Sequence, residues 1–192
     1  MPLNAGRLAY WQLKLKALAL LVMARREAAR DVFGAMLARW PGDAHALASR
    51  AHLHAQLGER EPALQDAQAL TRAHPQRSAA DWFNLAYLLD DAGRPAEAEP
   101  AFRRALALDP RLDRAWYGLG LALIRLRRFG EAIEALERNT ELQPMSPYGW
   151  YQLARVHVDR QEPEAARKII RHLRGFEPKV AAQLERETGL AG

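Results

Sequence analysis

Apolar residues recur along this chain at spacings of three and four, in blocks separated by short polar stretches. In the block that begins at Trp116, Leu119 and Leu123 fall on one face of a helix, and a second set begins with Ala132 and Leu136. Such spacing is typical of amphipathic helices. Each block therefore predicts two helices with a turn between them.

The blocks themselves repeat along the chain. Those that begin at Trp82, Trp116 and Trp150 align without gaps at a period of 34 residues. The same period relates small and terminating residues of the second helices, namely Ala98, Ala132, Ala166, Pro110, Pro144 and Pro178. A fixed period of this length indicates stacked units, because a single helical pair cannot bury its apolar face alone.

Two more divergent units precede these three. Their markers are Ala29, Phe33, Pro41, Ala63 and Pro75, and one residue is inserted near Ser78. The predicted units are 10–43, 44–78, 79–112, 113–146 and 147–180, after an N-terminal segment at 1–9. Residues 181–192 are expected to form a capping helix and tail, since Val180 and Leu184 lie one turn apart among charged residues and a solenoid needs a polar end.

Turns and irregular positions can also be predicted. The turns inside the units are expected at Gly58, Gly93, Gly130 and residues 161–163. Pro100 lies inside a predicted second helix, where proline removes a hydrogen bond, so we expect a kink there or a helix that begins only near Glu97.

Two charged residues interrupt an otherwise apolar column of the repeat. Lys16 and Arg50 stand where the later units have Leu85, Leu119 and Leu153. The first two units are therefore expected to pack differently from the last three.

These motifs resemble those of the tetratricopeptide repeat (TPR) family. The resemblance is carried by Trp116, Leu119, Gly120, Leu123, Ala132, Leu136 and Pro144, with leucine in that family's aromatic positions, and by Trp82, Leu85, Ala86, Ala98, Phe102 and Pro110. It covers about residues 10–180. It implies an all-α fold, a right-handed α-solenoid of about five helix-turn-helix repeats with a C-terminal capping helix. It also implies a protein–protein interaction adaptor or scaffold that binds peptides on the surface formed by the first helices.

The composition and the motifs of the chain argue against a catalytic site or a metal site. The chain has no cysteine, which excludes disulfides, thiolate metal sites and cysteine nucleophiles. It lacks a phosphate-binding glycine loop, a His-Glu-x-x-His zinc motif and a Gly-x-Ser-x-Gly nucleophile motif. His45, His52 and His54 are not spaced as a chelate and are expected to be polar surface residues. We predict that the protein is not an enzyme and has no catalytic residue, metal site or cofactor.

The TPR resemblance, transferred residue by residue, places a set of aromatic and charged side chains on the groove. The predicted partner-binding residues are Phe83, Tyr87, Asp90, Asp91, Arg114, Tyr117, Leu121, Arg125, Tyr148, Tyr151, Arg155 and Asp159. Tyrosine and arginine are enriched at binding hot spots. The predicted partner is a protein or peptide segment of acidic or carboxylate character. A packing role stays open for each ring, above all for Tyr117 and Tyr151 beside the tryptophans.

The net charge of +5, nearly all of it from arginine, leaves nucleic acid as an alternative partner. Nonspecific phosphate contacts would fall to Arg103, Arg104, Arg127, Arg128, Arg167, Lys168, Arg171 and Arg174. A third alternative is self-association or membrane-proximal assembly through the apolar first unit.

The stretch Ala17–Ala24, with sequence ALALLVMA, is too short to span a bilayer, which takes about 20 apolar residues. It keeps the register of the repeat and is predicted to lie in the first helix of the first unit. The expected compartment is the cytoplasm, with a periplasmic or membrane-associated location left open. The inner face of this helix carries Trp11, Leu18, Leu21 and Val22, which we predict to be an assembly surface. Residues 1–9, a second copy of the chain or a partner is expected to cover it.

Overall fold

A computed structural model describes residues 5–191 of the chain. Within those residues it contains eleven α-helices and no strand, which confirms the predicted all-α class. The helices are α1 (Ala5–Val22), α2 (Arg26–Arg39), α3 (Ala44–Gln56), α4 (Arg60–Ala73), α5 (Ala79–Asp91), α6 (Pro95–Leu108), α7 (Asp113–Arg125), α8 (Phe129–Leu142), α9 (Pro147–Asp159), α10 (Pro163–Arg174) and α11 (Pro178–Thr188).

The chain divides between Ala92 and Gly93 into two compact units. In the first unit, α1 packs against α2, α2 against α3, α3 against α4 and α4 against α5. In the second unit, α6 to α11 do the same, α11 also packs against α9, and α7 touches α9. Neighbour-on-neighbour packing of helical pairs is the arrangement of an α-solenoid.

One residue in the left-handed conformation ends the first helix of every pair. These residues are Ala24, Gly58, Gly93, Arg127 and Gln161, with φ between 55° and 77°. After Ala24, Gly58, Arg127 and Gln161, the next N–H donates to the carbonyl five residues earlier, as in Glu59 to His54 at 2.8 Å. This bond is the signature of a Schellman helix end. The prediction for the fourth turn is therefore wrong in its residue, because Arg127 takes the left-handed position and Gly130 already lies in α8.

The three periodic tryptophans tie each unit to the link before it. The indole N–H of Trp82 donates to the carbonyl of Pro75, that of Trp116 to Pro110 and that of Trp150 to Pro144, each at 2.9 Å. Proline frees these carbonyls by ending the preceding helix. The half-buried rings thus serve a structural purpose.

The core of the first unit holds α1, α2, α3 and α4 together. It is built around Phe33, Met36, Leu47, Leu53 and Leu70, all nearly inaccessible to solvent. Helix α1 contributes the fully buried Ala17 and ends at Val22, so the first six residues of the stretch ALALLVMA lie in this helix, as predicted.

In the second unit the core joins α8, α9, α10 and α11. Its largest residues are Leu136, Leu153, Ile170, Leu173 and Leu184. Ala181 and Leu184 are the buried residues of the final helix α11, whose charged side chains face outward. This helix closes the apolar end of the second unit.

The charged column of the repeat is accommodated by an ion pair in the first unit. Arg50 on α3 donates from Nε and Nη2 to both carboxylate oxygens of Asp66 on α4, at 2.7 and 2.6 Å. Asp66 is only 5% exposed. The repeat at 44–78 therefore has a bidentate ion pair between its two helices, where the repeat at 113–146 has Leu119 beside α8.

One of the two expectations for Pro100 is wrong, because α6 begins at Pro95 and not near Glu97, and it continues through Pro100. A proline inside a helix removes the hydrogen bond of its own nitrogen and crowds the carbonyl four residues earlier, so a kink at Pro100 stays a prediction. The buried Ala98, Ala101 and Phe102 hold the helix on both sides of it.

Residues 5–9 extend α1 and therefore cannot fold back over it; residues 1–4 of the predicted covering segment lie outside the described residues. None of the helices in residues 5–191 is long and apolar enough to cross a membrane.

Candidate partner-binding surface

Two clefts follow one another along α7 and α9 in the second unit. The first, which we call the tyrosine cleft, has a volume of about 530 Å³ and is lined by Asp113, Arg114, Tyr117, Asn139, Gln143, Ser146 and Tyr148. It lies where the first turns of α7 and α9 meet the C-terminal end of α8. Three of the predicted site residues, Arg114, Tyr117 and Tyr148, are thus brought together.

The floor of the tyrosine cleft is fixed by a buried amide. Asn139 is 6% exposed, and its Nδ2 donates to the backbone carbonyl of Asp113 at 3.0 Å. A Cβ atom on Gly149 would overlap Asn139 Oδ1. The glycine therefore lets the start of α9 come close to α8, while Tyr148, the residue before it, stays 69% exposed.

The second cleft, which we call the arginine cleft, measures about 230 Å³. It is lined by Leu121, Ile124, Arg125, Gln152, Arg155, Val156 and Asp159. Four of these were predicted from the sequence: Leu121, Arg125, Arg155 and Asp159. Two guanidinium groups, one carboxylate and an apolar base make the cleft suited to polar segments that carry some apolar side chains.

Tyr151 lies on α9 but is engaged with the final helix. Its hydroxyl donates to Oε2 of Glu187 on α11 at 2.5 Å, and its ring packs beside the core of the second unit. This hydrogen bond, together with burial, raises the pKa of Tyr151 above its ordinary value. The guanidinium carbon of Arg155 lies 5.9 Å from the centre of the same ring. Tyr151 thus links the arginine cleft to the capping helix.

The remaining predicted residues lie on α5 in the first unit. The rings of Phe83 and Tyr87 stack with their centres 6.5 Å apart, and Tyr87 is 59% exposed. Asp91 Oδ2 pairs with Nε of Arg60 on α4 at 3.2 Å, and Asp90 lies half-buried beside it. An aromatic pair and an acidic end therefore share this helix.

Of the four residues predicted to form an assembly surface on α1, three are exposed and the fourth packs against the core. Trp11, Leu18 and Val22 are exposed, as expected for an assembly surface. Leu21 instead packs against the core of the first unit. Leu8 and Leu15, which the sequence reading passed over, are 49% and 62% exposed.

Several arginines considered for phosphate binding are paired with carboxylates. Arg103 and Arg128 both bridge Glu99 and Glu131, at 2.6 to 2.7 Å. Arg167 pairs with Glu164 and Arg174 with Glu185. Half of the eight candidate basic groups therefore face neighbouring carboxylates, so the positive field available to a phosphate backbone is weaker than the net charge suggests.

His52 is exposed, as the sequence predicted, whereas His45 and His54 are partly buried. The side chains of His54 and His157 are each 14% exposed, and their Nδ1 atoms pair with Glu59 and Glu162 at the turn that follows. His45 packs edge-on against Phe33. Within residues 5–191 no three side chains of metal-binding type come together.

The contribution of α8 to the tyrosine cleft does not follow from the 34-residue period. Asn139 and Gln143 belong to the second helix of a pair, and only first helices were expected to line the groove. A signal was present, since Asn139 is a polar residue in the register of buried apolar positions, where a hydrogen-bonding purpose is typical.

The fold defines an all-α repeat protein of the α-solenoid class, with clefts along its first helices. Residues 83–147 and 117–179 match the family model described as tetratricopeptide repeat, and together they span half of the 192 residues. The chain belongs to the tetratricopeptide repeat family. This is a family of protein–protein interaction modules, as the sequence reading predicted.

Solved structures show the same fold. The structure of YrrB, described as a TPR protein with an unusual peptide-binding site, matches with a TM-score of 0.81 and 18% identity over 88% of each chain. A structure of the MamA protein matches with a TM-score of 0.82 and 16% identity over 95% of this chain and 97% of that one. A tetratricopeptide repeat protein from Parabacteroides merdae matches with a TM-score of 0.80 and 18% identity over 94% of this chain and 73% of that one. No curated protein matches the chain in sequence.

Proposed function

We propose that this protein is a non-catalytic adaptor that binds an acidic segment of a partner protein along α7 and α9. The observation that carries the proposal is the succession of the tyrosine cleft and the arginine cleft on the same two helices. From Arg114 to Arg125 the helix rises about 16 Å. An extended peptide of about five residues covers that distance.

The chemistry of the two clefts favours a partner of acidic character. Arg114, Arg125 and Arg155 supply guanidinium donors that match carboxylates, and such charge-assisted bonds are the stronger ones. The exposed ring of Tyr148 supplies contact area with little loss of side-chain freedom. Asp159 lies in the arginine cleft and would favour a segment whose sequence alternates in charge rather than a wholly acidic one.

The stacked Phe83 and Tyr87 on α5 are proposed as a further contact for the same class of partner. Both carry aromatic surface at the positions of the repeat that Tyr117 and Leu121 occupy in α7. Asp90 and Asp91 at the end of α5 would form ion pairs with basic residues of the partner.

The test is an affinity capture from the native cell with mass spectrometry, with a double variant beside the wild type. Tyr148→Ala with Arg155→Ala removes one exposed side chain from each cleft and leaves the core untouched. Arg138→Ala is the matched control, because it removes an exposed arginine from α8, outside both clefts. Binding to a captured partner is then measured with synthetic peptides of its acidic segments. We expect the double variant to bind at least about tenfold more weakly, as for loss of a hot-spot residue.

The salt dependence of binding separates acidic recognition from simple apolar contact. The affinity should fall as ionic strength rises, because exposed charges are screened. Equal binding by the wild type and the double variant, with normal helicity of both, would show that the clefts are not the binding site.

A further inference from the structure

Helix α1 carries an exposed apolar stripe that its own unit does not cover. The stripe consists of Leu8, Trp11, Leu15, Leu18 and Val22, with 49%, 49%, 62%, 40% and 88% of their surface exposed. Five large apolar side chains in one row exceed what an isolated surface helix normally shows to water. We call this row the α1 stripe.

The helix cannot rotate to bury the stripe, because its opposite face is already used. Tyr10, Leu13, Leu20 and Leu21 pack against the core around Ala17. Tyr10 also donates a hydrogen bond from its hydroxyl to Asp43, the residue that caps α3, at 3.1 Å. The orientation of α1 is therefore fixed by contacts with the rest of the first unit.

The spacing of the stripe is that of a helix-packing seam. Its residues are separated by three, four, three and four positions, which are the a and d positions of two heptads. They occupy a narrow arc of the helix over about 21 Å. A seam of this width accepts a second helix along its whole length, whereas helices that lie on a bilayer usually present a wider apolar face.

The charges that the first 26 residues themselves carry have one sign. Residues 1–26 contain Arg7, Lys14, Lys16, Arg25 and Arg26 and no aspartate or glutamate. Arg7 and Lys14 fall one position before Leu8 and Leu15, at the places where coiled-coil helices exchange ion pairs. A second copy of α1 would bring the same basic residues to the seam. Charge complementarity therefore favours a partner helix with acidic residues beside its apolar row.

We propose that the α1 stripe is a docking seam for an amphipathic helix of a partner protein, with apolar residues at heptad spacing and glutamate or aspartate at the flanking positions. This surface lies in the first unit and is separate from the clefts of α7 and α9. The protein thus has a second interaction surface that recognises a helix.

The test uses a synthetic peptide of four heptads with leucine at the a and d positions and glutamate at e and g. Like charges keep such a peptide from pairing with itself. Its binding to the full-length protein is measured by fluorescence anisotropy, with a peptide that has lysine in place of glutamate as the matched control. We expect saturable binding of the glutamate peptide and at least about tenfold weaker binding of the lysine peptide.

Two variants report on the seam. Leu15→Gln with Val22→Gln removes two of its most exposed apolar residues and should abolish binding while the helicity stays unchanged. Arg7→Glu with Lys14→Glu should exchange the preference, so that the lysine peptide binds and the glutamate peptide does not. A structural role alone would not produce such an exchange.

Four results would overturn the proposal. The first is absence of saturable binding of the glutamate peptide, and the second is equal binding of the two peptides by the wild type. The third is a dimer in light scattering that Leu15→Gln with Val22→Gln converts to a monomer, since the occupant would then be a second copy. The fourth is sedimentation with phosphatidylserine vesicles that the same variant abolishes, which would identify a membrane surface instead.

Discussion

Three glycines of the second unit lie where a neighbouring side chain leaves no room for a Cβ atom. A Cβ on Gly120 would lie 2.8 Å from Leu136, and one on Gly118 or Gly149 would overlap Phe102 or Asn139. Gly120 lies in the repeat's column of small residues, together with Ala86 and Ala154. The contacts of Gly118 and Gly149 depend on side chains from a neighbouring helix, which no local pattern reveals.

Gly149→Ala should destabilise the protein. The added methyl group displaces the Asn139 carboxamide and breaks its bond to Asp113, so we expect a loss of about 1–3 kcal/mol of unfolding free energy. Urea denaturation followed by circular dichroism measures it. Gly130→Ala is the matched control, since Gly130 also lies in the first turn of a helix, and an added Cβ there meets only Arg160, at 3.6 Å. If both variants unfold at the same urea concentration, the contact with Asn139 does not restrict position 149 to glycine.

At the scale of elements, the pair α3 and α4 shows how a repeat tolerates a charged residue in its seam. Arg50 and Asp66 occupy the positions that Leu119 and Ala135 have in α7 and α8. The guanidinium of Arg50 bridges the space between α3 and α4, which in α7 and α8 is filled by the side chain of Leu119. The ion pair preserves the packing of the two helices although the chemistry differs.

Arg50→Leu should be strongly destabilising, because it leaves the buried Asp66 carboxylate without its bidentate partner, while Nε2 of His54 stays 3.9 Å away. We expect a loss of about 3 kcal/mol, at the low end for broken buried pairs, since the Arg50 side chain is 28% exposed. The double variant Arg50→Leu with Asp66→Ala reproduces the apolar pair of α7 and α8. Its stability should return to within about 1 kcal/mol of the wild type, as measured by thermal unfolding. A double variant as unstable as Arg50→Leu would mean that the pair does more than fill the seam.

The turns inside two of the repeats each hold a histidine–glutamate pair, His54 with Glu59 and His157 with Glu162. The hydrogen bond from His54 lowers the pKa of Glu59 below its ordinary value of 4.5, against a smaller opposing effect of burial, and Arg30 on α2 lowers it further. His157 lowers the pKa of Glu162 in the same way. Each glutamate therefore connects the end of one helix to the start of the next.

Glu59→Gln should reduce stability at neutral pH and much less in acid. Because the folded state holds this carboxyl at a lower pKa than the unfolded chain, its contribution is complete above about pH 4.5 and disappears as the pH falls through the folded value. Urea midpoints of wild type and variant between pH 7 and pH 3 measure this, with Glu61→Gln, in the first turn of the helix that Glu59 precedes, as control. The difference between wild type and Glu59→Gln should close on acidification. A constant difference would contradict the pKa assignment.

At the scale of the whole molecule, the 34-residue repeat determines the fold, and the side chains on the surfaces of individual repeats determine what the protein binds. The net charge of +5 is distributed over helices whose arginines often pair with glutamates, as Arg103 and Arg128 do with Glu99 and Glu131. Function in such a fold depends on which residues line its surfaces, since the same fold serves many partners. Here the surfaces are the clefts on α7 and α9 and the stripe on α1.

Much of this could be predicted from the sequence because a 34-residue period constrains helices, turns and links together. The left-handed turn residues follow the period even where Gly is replaced by Arg127 or Gln161. The grouping of Arg114 with Tyr148 also followed, since aligned positions on neighbouring first helices share a face. The inward position of Leu21 and the exposure of Leu15 did not, because α1 departs from the apolar pattern of the later first helices, with Lys16 where they have leucine.

The sequence by itself determined the fold class, the helical pairs and the family, because these depend on apolar spacing and on residues that start or end helices. Only the tertiary structure decided that Asn139 supports a cleft, that Arg50 is held by Asp66 and that α1 keeps five apolar side chains in water. These features depend on distances between side chains from different helices. Such distances are set by packing in three dimensions, and a one-dimensional period does not contain them.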